Sequence, residues 1–293
     1  MKLTNIYGLP AALERFEEKN SYSKGDADYS VTQLIDSPQI SKLKQVHDDE
    51  ISEDISDRVL SLLGTATHVV LEAGAGPEDI VEKRFYQLVD GCRISGAVDL
   101  LTPSGVDPTS GEISYSLRDY KTVSGTAMAI NPKGKSEWIK QLNIYSWLAT
   151  LNGYKISDIG VVAIVRDWRR SLVRRNANFP KQGVVNVPLP LWPHEQQRQF
   201  IEKCVAEHNA ETPRECSNEE RWMGKNQFAV HEYRVDGGLK KNATRLFGSA
   251  TDAEGFILEK GKTAEVVCRE GTPTRCIDNY CRVAQFCDQF KNE

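Results

Sequence analysis

The chain has 293 residues, 40% hydrophobic and 27% charged, with a formal net charge of −4. That composition suits a globular protein with room for one α/β domain and an elaboration, and it argues against an indiscriminate polycationic coat for nucleic acid. No apolar run approaches the ~20 residues of a membrane span, so no membrane partner is expected. The opening Met1-Lys2-Leu3-Thr4-Asn5 lacks the apolar stretch of a secretory leader, which makes the cytoplasm the expected compartment.

Residues 1–30 are polar with little periodicity and are expected to form a loosely held arm. The sequence predicts a helix from about Ser30 to Lys44, opened by Ser30 as its cap. Ile94–Leu101 reads as a short apolar strand, followed by a turn-rich link containing Pro103, Gly105, Pro108 and Gly111. From Ile113 to Lys121 apolar and polar residues alternate, as in a half-buried strand. That alternation sends Asp119 and Lys121 to one face and Tyr120 to the other. A helix is expected from Ser136 to Leu151, where Gln141 and Tyr145, four apart, share a face. Ile159–Val165 is a strongly apolar strand, and Pro193–His208 a further helix. Thr212-Pro213 marks a boundary, giving a core over 31–211 and a small α/β appendage over 212–293. In the appendage, 228–233, 244–247 and 264–268 read as strands and 251–260 as a helix.

Asp99 and Asp119 lie near one lysine, Lys121, a combination suited to metal-assisted phosphodiester cleavage. Mg²⁺ takes hard oxygen ligands, usually one or two carboxylates with water and substrate phosphate. A lysine beside it can orient the attacking water and neutralise charge on the phosphate. Alone, Asp119 and Lys121 would be a surface ion pair worth under ~1 kcal/mol; with Asp99 they become catalytic candidates.

Gly96-Ala97-Val98-Asp99, Asp119-Tyr120-Lys121 and Gln141…Tyr145, in that order, resemble the PD-(D/E)XK nuclease superfamily, most closely its RecB-like branch and the related CRISPR adaptation exonucleases. Upstream, Gly64–Glu72 is similar to the branch's first motif, a helix bearing His68 and Glu72, and Glu82 resembles the acid opening the next strand. The second acid is Asp where relatives often carry Glu, and the family accepts both. The resemblance implies a restriction-endonuclease-like α/β core with a central mixed sheet flanked by helices. It implies that His68, Asp99, Asp119 and the Tyr120 carbonyl hold Mg²⁺ or Mn²⁺. Lys121 would position the water, Gln141 and Tyr145 would orient Lys121 or the DNA backbone, and Glu72 and Glu82 would support the ligands. The implied activity is DNA cleavage, exonucleolytic rather than endonucleolytic, in recombination, repair or phage DNA processing. The alternative is a DNA-binding subunit of a recombination or helicase complex, inactive or weakly active alone. The chain has no Gly-x-x-x-x-Gly-Lys-(Ser/Thr) motor motif of its own.

Two further features bear on partners and cofactors. Arg166, Trp168, Arg169, Arg170, Arg174 and Arg175 form a basic patch; it reads as a DNA-binding loop or as a solvated loop with a packed tryptophan. Cys268, Cys276, Cys281 and Cys287 cluster near the carboxyl end, where thiolates suit Zn²⁺ or an iron–sulfur cluster; the alternative is no metal, with Cys268 a small hydrophobe buried on its strand. RecB-like relatives that carry such a cluster take one cysteine from before the core. Here the first cysteine, Cys92, already lies inside it, and the terminal spacing is looser than Cys-x-x-Cys.

Overall fold

Two long strands joined by a turn-rich link organise the computed structural model, which describes residues 2–19, 24–261 and 263–292. The chain divides into two units, Met1–Ser41 with Asp48–Pro213, and Lys42–His47 with Arg214–Glu293. The first begins with β1 (Lys2–Thr4), α1 (Ala11–Lys19), β2 (Tyr29–Ser30), α2 (Val31–Leu34), the start of α3 (Pro38–Val46), β3 (Ser52–Asp54) and α4 (Val59–Glu72). It continues through β4 (Ile80–Val89), β5 (Cys92–Val106), β6 (Ile113–Val123), α5 (Gly125–Ile130), α6 (Ser136–Leu151) and β7 (Lys155–Val165). It ends with α7 (Arg170–Arg175), β8 (Val184–Leu189) and α8 (His194–Asn209).

The main sheet is mixed and runs β2-β5-β6-β7-β8, with β4 also paired to β5. β5–β6 and β7–β8 are antiparallel, whereas β6–β7 is parallel. β5 shares one edge between two partners: β2 holds Ile94 and Ser95, and β6 holds Leu100 to Val106. Between them, residues 96–99 have no ladder partner on that edge, and β6 continues on β7 alone. The sheet therefore splays open where Asp99 sits.

α6 is covered nearly all round. Trp138, Leu142, Ile144, Tyr145, Trp147 and Leu148 are buried against the sheet and α8. The buried Asn143 is fully engaged: its Nδ2 donates to the Ile139 and Pro190 carbonyls, and its Oδ1 accepts from Trp192 N and Gln197 Nε2. Gly96 makes this close packing possible, because a Cβ there would lie 2.6 Å from Tyr145 Cε1 and 2.9 Å from Val31 Cγ2.

Two expectations are corrected here. Within the segment read as a loose arm, β1 pairs in parallel with β3, and α1 is docked. Leu13 and Phe16 share an apolar pocket with Ile55, Val59 and Leu62, and Glu17 pairs with Arg58 at 2.5 Å. The apolar face of so short a helix was too brief to register as a period in sequence. The single helix expected over 30–44 is two helices. Ser30 and Gln33 form a capping box on α2, and Pro38, which disfavours a helical Ser37, starts α3 afresh.

In the second unit, β9 (Gln227–Glu232) lies between β10 (Arg245–Phe247) and β11 (Ala264–Arg269), both antiparallel to it, with α9 (Ala250–Lys260) alongside. α9 is capped by Ser249 and closed by Gly261 in the left-handed conformation. The remainder is turns and short helices, α10 (Thr274–Ile277) and α11 (Asp288–Lys291) among them. Among the described residues no helix is long and apolar enough to cross a membrane.

Candidate metal centre

The opening between β5 and β6 is closed by side chains instead of backbone. With no β5 partner, the Tyr120 N–H is taken by Asp99 Oδ2 at 2.7 Å. Asp99 Oδ1 lies 3.5 Å from His68 Nδ1, and the same nitrogen lies 3.3 Å from Glu82 Oε1. One ligand atom from each of His68, Glu82 and Asp99 falls within 4.8 Å of the others, a grouping able to hold one metal ion. His68 comes from α4, Glu82 from β4 and Asp99 from β5.

Glu82 reaches this cluster through an unusual backbone. Its φ is +48°, a left-handed conformation that costs a non-glycine residue about 1–3 kcal/mol. The β4–β5 ladder keeps one register on both sides, with Val81 opposite Leu100 and Lys83 opposite Val98, yet omits the Glu82–Asp99 pair between them. The strand thus gives up one ladder position where two acids face each other. Sequence periodicity carries no signal for such a turn of the backbone, so Glu82 reads there as a supporting residue only.

Asp119 and Lys121 form the inner part of the site. Asp119 is 2% exposed, and its Oδ2 lies 2.8 Å from Lys121 Nζ. Both residues are held by the parallel ladder to β7, opposite Val161 and Ala163. Burial works against the Lys121 ammonium, but Asp119 and Asp99 outweigh it and hold its pKa above the usual value, so Lys121 is charged at neutral pH. Burial, reinforced by the charge on Asp119, pushes the Asp99 carboxyl up to about 7. The hydrogen bond to Glu82, with Asp99 and Asp119 nearby, raises the His68 pKa against the opposing effect of burial. Glu82, Asp99 and Asp119 against one ammonium leave two excess negative charges when His68 is neutral. A divalent cation matches that excess, so these residues fit Mg²⁺ or Mn²⁺.

The remaining expected site residues are distributed as follows. Gln141 Nε2 donates to Tyr145 Oη at 2.9 Å within α6. The Tyr120 ring stands edge-on to His68 at 6.0 Å. Glu72 is exposed where α4 ends and its side chain joins no cluster; helical spacing put it on the His68 face, but the helix stops there, in solvent. Glu137, which the motif reading passed over, is close enough for its charge to act on Lys121. Trp168 donates Nε1–H to the Pro180 carbonyl and packs against the core as the cover of a strand end.

Among the described residues the terminal cysteines form no comparable group. Cys268 is exposed on β11, while Cys281 and Cys287 are buried and Cys276 lies near Cys281. Cys216 is brought beside this segment by Gln289, whose side chain bonds both its N–H and its carbonyl.

No family model and no curated protein matches this chain. It is similar to a solved structure described as "Crystal structure of SSO0001", at 19% identity over 68% of this chain and 85% of that one, with a TM-score of 0.44.

Proposed function

We propose that the protein is a divalent-metal-dependent deoxyribonuclease with a restriction-endonuclease-like core, acting as an exonuclease rather than a sequence-specific endonuclease. One observation carries the reading: His68, Glu82 and Asp99 converge within 4.8 Å beside a buried Asp119–Lys121 pair. The preference for DNA and for exonucleolytic cleavage rests on the motif resemblance.

His68, Glu82 and Asp99 would hold the metal ion, with Asp119 and the Tyr120 carbonyl completing the set from β6. Glu82 is thereby promoted from support to ligand. When bound, Mg²⁺ or Mn²⁺ would supply the positive charge that polarises the scissile phosphodiester and acidifies the attacking water. Asp119 fixes the Lys121 ammonium, and Lys121, being charged, orients water and screens the phosphate as a hydrogen-bond donor. Gln141 and Tyr145 brace each other on α6 behind Gly96. Asp99 keeps the two strands at a fixed separation by accepting the Tyr120 N–H.

The test is digestion of end-labelled linear DNA beside its closed circular form, with Mg²⁺, Mn²⁺ or EDTA. Metal-dependent loss of the linear form alone, abolished in Asp119→Asn and Lys121→Gln, is the expected result. Nicking of the circle would make it an endonuclease. Absence of cleavage in every metal would discard the catalytic reading in favour of a DNA-binding subunit that needs a partner.

A further inference from the structure

The connection from β7 to β8 is a cationic platform. Over 166–181 it carries Arg166, Arg169, Arg170, Arg174, Arg175 and Lys181 against one acid, Asp167, a local balance of +5 in a chain of −4. All six cations are exposed, and none makes an ion pair or side-chain hydrogen bond with a described residue. Arg58, Arg118 and Arg198 by contrast are neutralised, Arg58 by Glu17 and Glu53, Arg118 by Asp158, Arg198 by Glu195 and Glu202. Six uncompensated cations repel one another, so the unliganded platform is electrostatically unfavourable on its own.

The platform is nevertheless pinned. Val165 N donates to Gly183 O, Arg166 N to Val123 O, and Gly125 N to Asp167 Oδ1 at 2.7 Å, which occupies the one local acid. Trp168 is tied to Pro180, and the buried Phe179 sits over Gly125, where a Cβ would lie 2.1 Å from the ring. A solvated loop needs none of these anchors.

Its position follows from the register. β6 and β7 are parallel, with Lys121 opposite Ala163 and Val123 opposite Val165, so the platform begins at the carboxyl ends of both strands. Arg166 lies three residues beyond the level of Lys121, about 10 Å at strand rise. One strand of a duplex carries a phosphate about every 3.4 Å of rise, so that distance spans about three nucleotides.

We propose that residues 166–181 are a preorganised phosphate clamp, gripping the DNA backbone about three nucleotides from the bond cleaved at Lys121. The cleavage site rests on the nuclease reading; the grip on phosphate rests on the platform alone. Because the contacts are to phosphate, they fix position without reading sequence.

The experiment compares the full-length wild type with Arg170→Glu/Arg174→Glu/Arg175→Glu and with the milder triple glutamine variant. Binding to short duplex and single-stranded DNA is measured in EDTA, from about 50 to about 200 mM salt. The charge-reversed variant should bind about tenfold or more weakly, whatever the sequence, and its log affinity should depend less steeply on log salt by about 2–3, close to 0.9 per lost contact. The glutamine variant should fall between it and wild type, with neither variant melting below the wild-type temperature. Unchanged affinity and slope in both would overturn the clamp, even if the wild type cleaves DNA. Platform-dependent binding by a wild type that cleaves in no metal would uphold the clamp and overturn the nuclease.

Discussion

The two units bury different things. The first fills its interior with large side chains, Leu34, Ile94, Leu101, Leu142, Leu148 and Ile159 among them, and also confines four carboxylates, Glu17, Glu53, Asp99 and Asp119. The second buries mostly small side chains, Ala229, Val230, Ala253, Val283 and Ala284 with Cys281 and Cys287, beside Arg221 and His231, and leaves Trp222, Leu258, Ile277 and Tyr280 exposed. Side-chain burial contributes about 0.8 kcal/mol per methylene, so the bulkier first core gains more from each side chain it buries. The second has little bulk to draw on, and small units of that kind commonly depend on a cross-link or a metal.

The largest effect that would sharpen this contrast is catalytic. Lys121→Gln should lower DNA cleavage by about 10³-fold, within the usual range for a positioned proton-transfer or charge-stabilising group. Single-turnover digestion checks it, and residual activity near wild type would remove the buried pair from the chemistry.

Core truncation comes next. Leu142→Ala should cost the first unit about 2–5 kcal/mol, whereas Val283→Ala should cost the second about 1.5 kcal/mol from two lost methyl groups. Hydrogen exchange resolved by segment would measure both. Equal losses would break the contrast, and loss of protection in the second unit on adding a chelator would reveal a metal held by its thiols.

Gly96→Ala probes the junction of core and site. Its Cβ must displace Tyr145 or Val31, costing about 1–3 kcal/mol, and the disturbed Gln141–Tyr145 brace should lower cleavage without altering DNA affinity. An unaffected kcat would show that the brace has no positioning role.

The smallest effect is on pH. Asp99 binds its proton more tightly when folded, its carboxyl being raised from 3.8 to about 7, so the metal-free protein should lose stability as pH rises across that window. His68 is also raised, and its contribution, complete below 6.5, is lost as pH rises through the higher folded value, in the same direction. Metal binding needs both groups deprotonated, so the gain in Tm on adding Mn²⁺ should grow over the same pH range. Melting curves with EDTA or Mn²⁺ test this; a gain in Tm independent of pH would place the ion elsewhere.

Much of the architecture could be read from sequence because it depends on short-range periodicity. The alternation over 113–121 became β6, the apolar face over 136–151 became α6, and the patterns over 251–260 and 264–268 became α9 and β11. The break at Pro38 was visible too, in the proline itself, and reading through it joined two helices into one.

The candidate site divides along the same line. Asp119 and Lys121 share a face because a strand has period two, and that much is local. Glu82 enters the cluster through a positive φ and a missing ladder pair, both set by the partner strand. The exchange of partners along β5, which frees the Tyr120 N–H for Asp99, depends on where β2 and β6 end. The availability of the platform's arginines depends on which acids the fold leaves out of reach. Composition and spacing therefore determined which side chains were at hand. Register and packing decided which of them meet, because electrostatic and metal-ligand contacts form over a few ångströms that only the folded chain brings together.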